Sequence, residues 1–360
     1  MYAVPIVNIL NGKLGILAKP RGKRLYSTIR ARTTNVPVDN DKVKSMIKSL
    51  GPKDWDKLNP MWISGFVDGE GSFHIKINKN NKNKTGWSVQ ACFSIGLHQK
   101  DRALLELIQG SLEGAGSITK EGEYTKKYST VHYQVTSVKD LTKIIIPHFD
   151  KYPLITQKRA DFELFKMAVN LINHKEHQNI EGLQQIVNLK ASMNLGLSDR
   201  LKSAFPNTHP APRLLIKLPE SIDLHWLAGL VSAEGCFFIE IFKHTTKIGF
   251  GVKLKFKITQ HIRDQELLRK LINKLDCGRY ETSIGRNWGN FVVTRFSDIE
   301  SKILPLFTDY PIYGVKTSDL ADFRKVVDII KAGDHLTPEG LEEIRRIKAG
   351  MRKVNTSVPY

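Results

Sequence analysis

Two stretches of the chain alternate apolar and polar residues with a period of two. Val252, Leu254, Phe256 and Ile258 are separated by Lys253, Lys255 and Lys257; Phe73, Ile75 and Ile77 alternate with His74, Lys76 and Asn78. A period of two predicts half-buried strands, with one side on a core and the other presenting polar groups. Each of these regions follows an apolar run that closes on a glycine, Gly71 or Gly235, which predicts two helices stopped by glycine. Spacing of apolar residues predicts further helices over 102–112 and 265–275, strands around 131–136 and 291–296, and helices over 158–173 and 316–331. Closing helices are predicted over 181–193 and 339–351. Strands and helices mix without regular βαβ alternation, so the pattern predicts an α+β fold with antiparallel sheets.

The pattern occurs twice. Trp62-Ile-Ser-Gly-Phe-Val-Asp-Gly-Glu-Gly71 returns as Trp226-Leu-Ala-Gly-Leu-Val-Ser-Ala-Glu-Gly235, and Phe93-Ser-Ile-Gly-Leu-His-Gln-Lys-Asp101 as Phe256-Lys-Ile-Thr-Gln-His-Ile-Arg-Asp264. Tyr152-Pro-Leu-Ile-Thr-Gln-Lys158 matches Tyr310-Pro-Ile-Tyr-Gly-Val-Lys316, and His177-Gln-Asn-Ile-Glu-Gly-Leu183 matches His335-Leu-Thr-Pro-Glu-Gly-Leu341. The order is conserved between the copies while loop lengths drift, as in a duplicated domain. The organisation expected is a first copy over 51–205, a proline-rich joint over 206–219 (Pro206, Pro210, Pro212, Pro219) and a second copy over 220–360.

Residues 1–50 stand apart. No Asp or Glu precedes Asp39, whereas Lys13, Lys19, Arg21, Lys23, Arg24, Arg30 and Arg32 lie among Ser27, Thr28, Thr33 and Thr34. Basic, hydroxyl-rich and acid-free is the composition of a mitochondrial transit peptide. A flexible basic arm or read-through from an upstream frame gives the same composition. All three readings leave the segment outside the fold.

Charge sharpens the picture. Lys and Arg number 55 against 36 acids in 360 residues, a net +19. A folded chain with that excess attracts polyanions, nucleic acid first. Three cysteines without a CxxC pair exclude a disulfide framework. The histidines form no zinc ladder and no HExxH. There is no phosphate-binding P-loop, no third glycine to make a dinucleotide loop after Gly69-Glu-Gly71, and no GxSxG elbow. No apolar run reaches the ~18 residues of a membrane span.

The paired apolar motifs hold the candidate chemistry. Gly65 and Gly69 stand four apart, as do Gly229 and Ala233, with Ser64 and Ala228 beside them. Such a small-residue face lets two helix backbones approach closer than the usual ~8–10 Å. The spacing thus predicts that motif helix packs on motif helix. Glu70 and Glu234 each lie one residue before the closing glycine, so both carboxylates project from neighbouring helix ends. A helix C-terminus disfavours an anion, and two adjacent carboxylates repel. A hard cation such as Mg²⁺ offsets both effects, because it prefers carboxylate and water oxygens.

These motifs resemble the paired signatures of the LAGLIDADG homing endonucleases, in the monomeric two-motif branch found in fungal mitochondrial introns. The resemblance extends over about 55–353 and includes the Phe-x-Ile-x-Gln-His-type strand and the Glu-Gly-Leu helix. It implies a pseudo-dimer of two αββαββα halves whose sheets form a saddle on the DNA major groove. It implies divalent metal at Glu70 and Glu234, with the carbonyls of Gly69 and Ala233 completing the coordination. Gln260 maps onto a polar residue that positions attacking water, and Leu97 stands there in the first copy. Lys158 and Lys316 fall near basic residues that support the transition-state phosphate. His74, Lys76, Asn78, Lys253, Lys255 and Lys257 become the groove-facing candidates.

The function this implies is Mg²⁺-dependent cleavage of both strands of an asymmetric double-stranded DNA target by a monomer, in the mitochondrion, promoting intron mobility. The rivals are an RNA-binding maturase acting on intron RNA and a non-cleaving DNA-binding protein of the same fold. No Cys or Ser opens the chain and no His-Asn pair closes it, which argues against an intein.

Overall fold

The computed structural model describes residues 6–10, 13–17, 57–120, 130–282 and 284–355. The chain divides into two units, Met1–Lys53 and Asp54–Tyr360. In the first, β1 (Ile6–Leu10) pairs antiparallel with β2 (Lys13–Leu17). Sequence patterning left this stretch without an element. The remaining part of the basic extension lies outside the described residues.

The second unit holds both copies. The first runs α1 (Pro60–Glu70), β3 (Gly71–Lys79), β4 (Trp87–His98), α2 (Arg102–Ser111), β5 (Ser117–Lys120) and β6 (Thr130–Val135). Helices α3 (138–151), α4 (Lys158–Asn173), α5 (Ile180–Ala191) and α6 (Asp199–Ala204) follow. Residues 206–219 contain no helix or strand. The second copy runs α7 (Leu224–Glu234), β7 (Gly235–Lys243), β8 (Phe250–His261), α8 (Gln265–Leu275), β9 (Arg279–Thr282) and β10 (Trp288–Val293). It ends with α9 (296–309), α10 (Lys316–Ala332) and α11 (Pro338–Asn355). Both sheets are antiparallel and share one order, β3-β4-β6-β5 and β7-β8-β10-β9. The α+β class and the αββαββα order hold, with added helices after each sheet.

Helices α3 and α9 escape a 3.6-residue reading for a physical reason. Each carries a π turn, over Leu141–Ile145 and Ile299–Ile303, just before Pro147 and Pro305. Proline lacks an amide to continue the ladder, and the wider turn lets Ile146 N reach Leu141 O and Leu304 N reach Ile299 O.

The two cores repeat ring by ring. Phe73 stacks on Phe93 at 5.1 Å, and Phe237 on Phe256 at 5.3 Å. Phe149 and Phe165 approach Phe73 edge-on or tilted, as Phe307 and Phe323 approach Phe237. These rings sit on the core side of the alternating strands, so the polar side of each strand faces away from the helices that cover them. Offset and edge-to-face pairing each contribute about 0.5–1.5 kcal/mol beyond area burial, and the network holds each sheet against α4 or α10.

Helices α1 and α7 join the halves, and their glycines fix how closely they meet. A Cβ on Gly65 would lie 1.8 Å from the carbonyl oxygen of Trp226; one on Gly229 would lie 2.0 Å from that of Trp62. Both are overlaps with backbone, which cannot rotate aside. The closing glycines behave differently from the sequence expectation. Gly71 and Gly235 have φ of −76° and −70°, extended rather than left-handed. Each helix runs straight into its strand, and glycine is required because a Cβ would lie 2.4 or 2.5 Å from Cγ1 of Val67 or Val231.

Replacing Gly65 or Gly229 by Ala therefore forces α1 and α7 apart. We expect each variant to lose about 3 kcal/mol of stability, read by chemical unfolding; a variant within ~0.5 kcal/mol of the parent would contradict this packing.

Candidate active site

Helices α1 and α7, crossing at Gly65 and Gly229, stay in contact up to the ends that carry Glu70 and Glu234. A Cβ on Gly69 would lie 2.3 Å from Cβ of Ala233 and 3.2 Å from Cγ of Glu234. The pairing expected from the small-residue face is present, and the two carboxylates are neighbours. Burial pushes Glu70 up to about 7, and the Glu234 carboxylate pushes the same way against the pull of Lys316 and Lys158. Burial also raises Glu234, opposed by the same two lysines. Both acids are half-buried. Removed from most of their water and set beside each other, they resist full ionisation.

Lys158 and Lys316 reach this place from the starts of α4 and α10. Lys158 Nζ donates to the carbonyls of Val67 and Gly69, each at 2.9 Å. Lys316 Nζ donates to the carbonyl of Ala233. Burial lowers the pKa of both ammonium groups, while Asp68, Glu70 and Glu234 raise that of Lys158 and Glu234 and Glu70 that of Lys316. A cation on the last carbonyls of a helix is favoured by the dipole. The carbonyls of Gly69 and Ala233, expected to complete a metal's coordination, accept from lysine in this structure, because the lysines are long enough to span from the neighbouring helix starts.

Asp68, which the sequence analysis gave no role, has a large structural part. It is 3% exposed. Its carboxylate accepts from Ile155 N at 2.9 Å, Thr156 N at 3.3 Å and the Thr156 hydroxyl, and across the helix interface from Trp226 Nε1 at 2.8 Å. Burial still outweighs these bonds and raises its pKa to about 6. Ser232 stands at the equivalent place. Its hydroxyl donates to Ala228 O at 2.8 Å and accepts from Tyr313 N at 3.1 Å. The shorter side chain does not reach across, and Trp62 Nε1, the counterpart of Trp226 Nε1, is buried without a hydrogen-bond partner. The duplication signalled this pair through an Asp-to-Ser difference inside otherwise matching motifs.

The remaining predicted residues lie on the sheets. Gln260 is near the end of β8 opposite Gly289, and Leu97 near the end of β4 opposite Val131, both half-buried. His74, Lys76 and Asn78 fall on the polar side of β3, and Lys253, Lys255 and Lys257 on that of β8. Lys76, Asn78 and Lys253 are exposed; His74, Lys255 and Lys257 are half-buried. Burial and Lys76 hold His74 down at about 4, so it is neutral near pH 7 and offers a hydrogen bond rather than a charge. The second sheet adds residues the sequence did not flag. Phe238 and Trp288 are exposed and line one shallow pocket with Lys255, Lys257, Glu281 and Asn290.

Among the described residues, no cluster of three or more His, Cys, Asp or Glu side chains forms a cation site. The donor set is the smaller one of two converging carboxylates. Two hard oxygen anions that burial leaves undercompensated suit a hard divalent cation.

Comparison with known proteins agrees with this geometry. The model of the LAGLIDADG endonuclease family matches residues 63–169 and 227–327. Probable intron-encoded endonuclease 3 of Neurospora crassa is 42% identical over 289 residues, 80% of this chain and 53% of the relative. Probable intron-encoded endonuclease 2 of the same organism is 41% identical over 304 residues, 82% of this chain and 65% of the relative. The chain thus spans roughly half to two thirds of those relatives' length. The crystal structure of the I-SmaMI LAGLIDADG homing endonuclease bound to cleaved DNA superposes with TM-score 0.80 at 47% identity, over 83% of this chain and 98% of that one. I-SmaMI bound to uncleaved DNA target with calcium ions gives TM-score 0.79 at 47% identity, over 82% and 99%. With two motif helices crossing at glycine, two matched sheets and the family model covering both copies, the chain belongs to the LAGLIDADG endonuclease family.

Proposed function

We propose that this chain is a site-specific double-strand DNA endonuclease that uses divalent metal, Mg²⁺ in the cell, and that it acts in the mitochondrion on the intronless form of its own insertion site. The observation that carries the reading is the neighbouring placement of Glu70 and Glu234 at the paired ends of α1 and α7. The location is supported by the relatives, two of them probable intron-encoded endonucleases of Neurospora crassa and another an uncharacterized mitochondrial protein of Saccharomyces cerevisiae. The DNA reading is supported by I-SmaMI, whose structures hold target DNA and, in one case, calcium ions.

Glu70 and Glu234 would hold the metal. A divalent cation held there would supply Lewis-acid polarisation of the scissile phosphate and a more acidic water. The protein's own groups do the rest. Lys158 and Lys316 bring positive charge beside both acids, where charge builds on the phosphate during the reaction. Gln260 offers an amide from the second sheet alone, with Leu97 in its place in the first, so the two half-sites differ chemically. Lys76 and Asn78 on one sheet and Lys253, Lys255 and Lys257 on the other face a groove whose edges distinguish all four base pairs. The faces differ residue by residue, so the target is asymmetric. One chain supplies both carboxylates, so the active species is a monomer.

Two outcomes are expected with intronless DNA and Mg²⁺. Glu70→Gln and Glu234→Gln should each slow cleavage by about a thousandfold or more while leaving binding measurable. Binding should weaken on the order of 10³-fold between about 50 and 200 mM salt. Variants that cut like the parent, or a flat salt dependence, would contradict the site; splicing that depends on the protein without any DNA cut would favour the maturase.

Linkage gives a test that needs no DNA. Burial raises the Glu70 carboxyl from its ordinary value of 4.5 to about 7 in the fold. Its raised pKa favours the fold below pH 4.5, and that contribution is lost as pH rises through about 7. In metal-free buffer, Glu70→Gln should gain stability over the parent by about 2–3 kcal/mol across that window, measured by unfolding at each pH. Saturating Mg²⁺ should remove the difference at pH 7.5 by stabilising the parent. Parallel stability curves for the two proteins would refute the burial of this carboxylate.

A further inference from the structure

The repeated segment that closes β4 and β8 ends on an aspartate in both copies, Asp101 and Asp264, and neither has a part in the chemistry above. A histidine fixes each turn: His98 Nδ1 accepts from Lys100 N at 3.1 Å and His261 Nδ1 from Arg263 N at 3.2 Å. The aspartate then leaves its own half. Asp101 Oδ1 accepts from Val315 N at 2.7 Å, and Asp264 Oδ1 from Gln157 N at 2.8 Å. Val315 and Gln157 immediately precede Lys316 and Lys158. Each acid therefore grips the backbone one residue ahead of the opposite half's lysine.

We propose that Asp101 and Asp264 are positioning residues acting across the pseudo-twofold axis, Asp101 on Lys316 and Asp264 on Lys158. The inference rests on the endonuclease reading and deepens it. Each lysine spans from the start of its helix to a carbonyl at the end of its own half's motif helix. A shift of the helix start is carried directly to Nζ. Because the acid fixing that start comes from the other half, neither lysine is set without both halves docked, which couples the two strand cuts.

The two grips are unequal. In the first half Asp68 holds Ile155 N and Thr156 N, and the Thr156 hydroxyl accepts from Lys158 N at 3.2 Å. The segment before Lys158 is thus anchored from its own half as well. In the second half Ser232 accepts from Tyr313 N alone, and Gly314 stands where Thr156 does. Gly314 has φ +83°, and a Cβ there would lie 2.7 Å from Asp101 Oδ1. Glycine makes room for the acid and removes the local hydroxyl, so Lys316 depends on Asp101 more than Lys158 depends on Asp264.

The test uses the full-length protein with Mg²⁺ and intronless DNA spanning the insertion point, each strand end-labelled, under saturating single-turnover conditions. Affinity is measured separately without divalent cation. Asp101→Ala should slow one strand by about ten- to a hundredfold with affinity within about twofold. The slowed strand should be the one that Lys316→Met slows. Asp101→Ala combined with Lys316→Met should cost little more than Lys316→Met alone, while combination with Lys158→Met should multiply. Asp264→Ala should slow the other strand, and less. Asp101→Asn, which keeps an acceptor oxygen, should restore most of the rate. Where Asp101→Ala does not fold, Asp101→Ser, with its shorter acceptor, takes its place. Equal slowing of both strands, coupling to Lys158 in place of Lys316, or no recovery in Asp101→Asn would overturn the inference while a cutting parent leaves the endonuclease reading intact. A parent that cuts neither strand would overturn both.

Discussion

The approach of α1 to α7 is the constraint on which everything else depends. Gly65 and Gly229 face each other's backbones, so the helices meet without side chains between them. At that separation the two helix ends cannot keep their carboxylates apart. The electrostatic cost at Glu70 and Glu234 is thus a direct result of the packing. Fold stability alone would favour separating two buried acids at the negative ends of two dipoles. Two adjacent carboxylates of this kind suit a hard cation, and the same contact that unites the halves brings them together.

The duplication supplies symmetry, and a few substitutions remove it where chemistry occurs. Asp68 fastens three groups of its own half's turn and the indole of Trp226 across the interface. Ser232 fastens one amide and leaves Trp62 Nε1 buried and unsatisfied. An unsatisfied buried donor costs about 1–3 kcal/mol, so the shorter Ser232 leaves that cost on the first half's indole. Thr156 against Gly314 extends the difference to the residues just ahead of the two lysines, and Gln260 against Leu97 extends it to the ends of β8 and β4. Two sites with the same acids and unequal surroundings suit a target whose strands differ.

Most of the frame was legible in the sequence because it rests on short-range regularities. The period-two strands and the amphipathic helices 158–173 and 265–275 express one face buried and one free, and the paired small residues express a close helix contact. Glu70 and Glu234 could be named because their helix-end position made an electrostatic problem visible. What remained hidden depends on long-range geometry. The grip of Asp68 on Trp226 joins residues far apart in sequence, as does the reach of Lys158 to Gly69. The π turns of α3 and α9 were hidden by prolines that break the helical period. The glycines after the glutamates were legible as breaks but not as close contacts, since a stop signal and a clash with Val67 or Val231 both demand the same residue.

That last point explains how the site stays aligned with the sheets. Gly71 and Gly235 remain extended, so each helix passes into its strand with no loop between. Glu70 is the last residue of α1 and Gly71 the first of β3; Glu234 and Gly235 repeat this at α7 and β7. Each acid is therefore fixed at once by the helix crossing and by the strand register, through a single peptide bond. A loop at this junction would let the carboxylates drift relative to the polar sheet faces by more than the fraction of an ångström that positioned catalysis tolerates. Direct continuation from helix to strand removes that freedom. It sets the carboxylates relative to the two sheet faces without any further element to hold them.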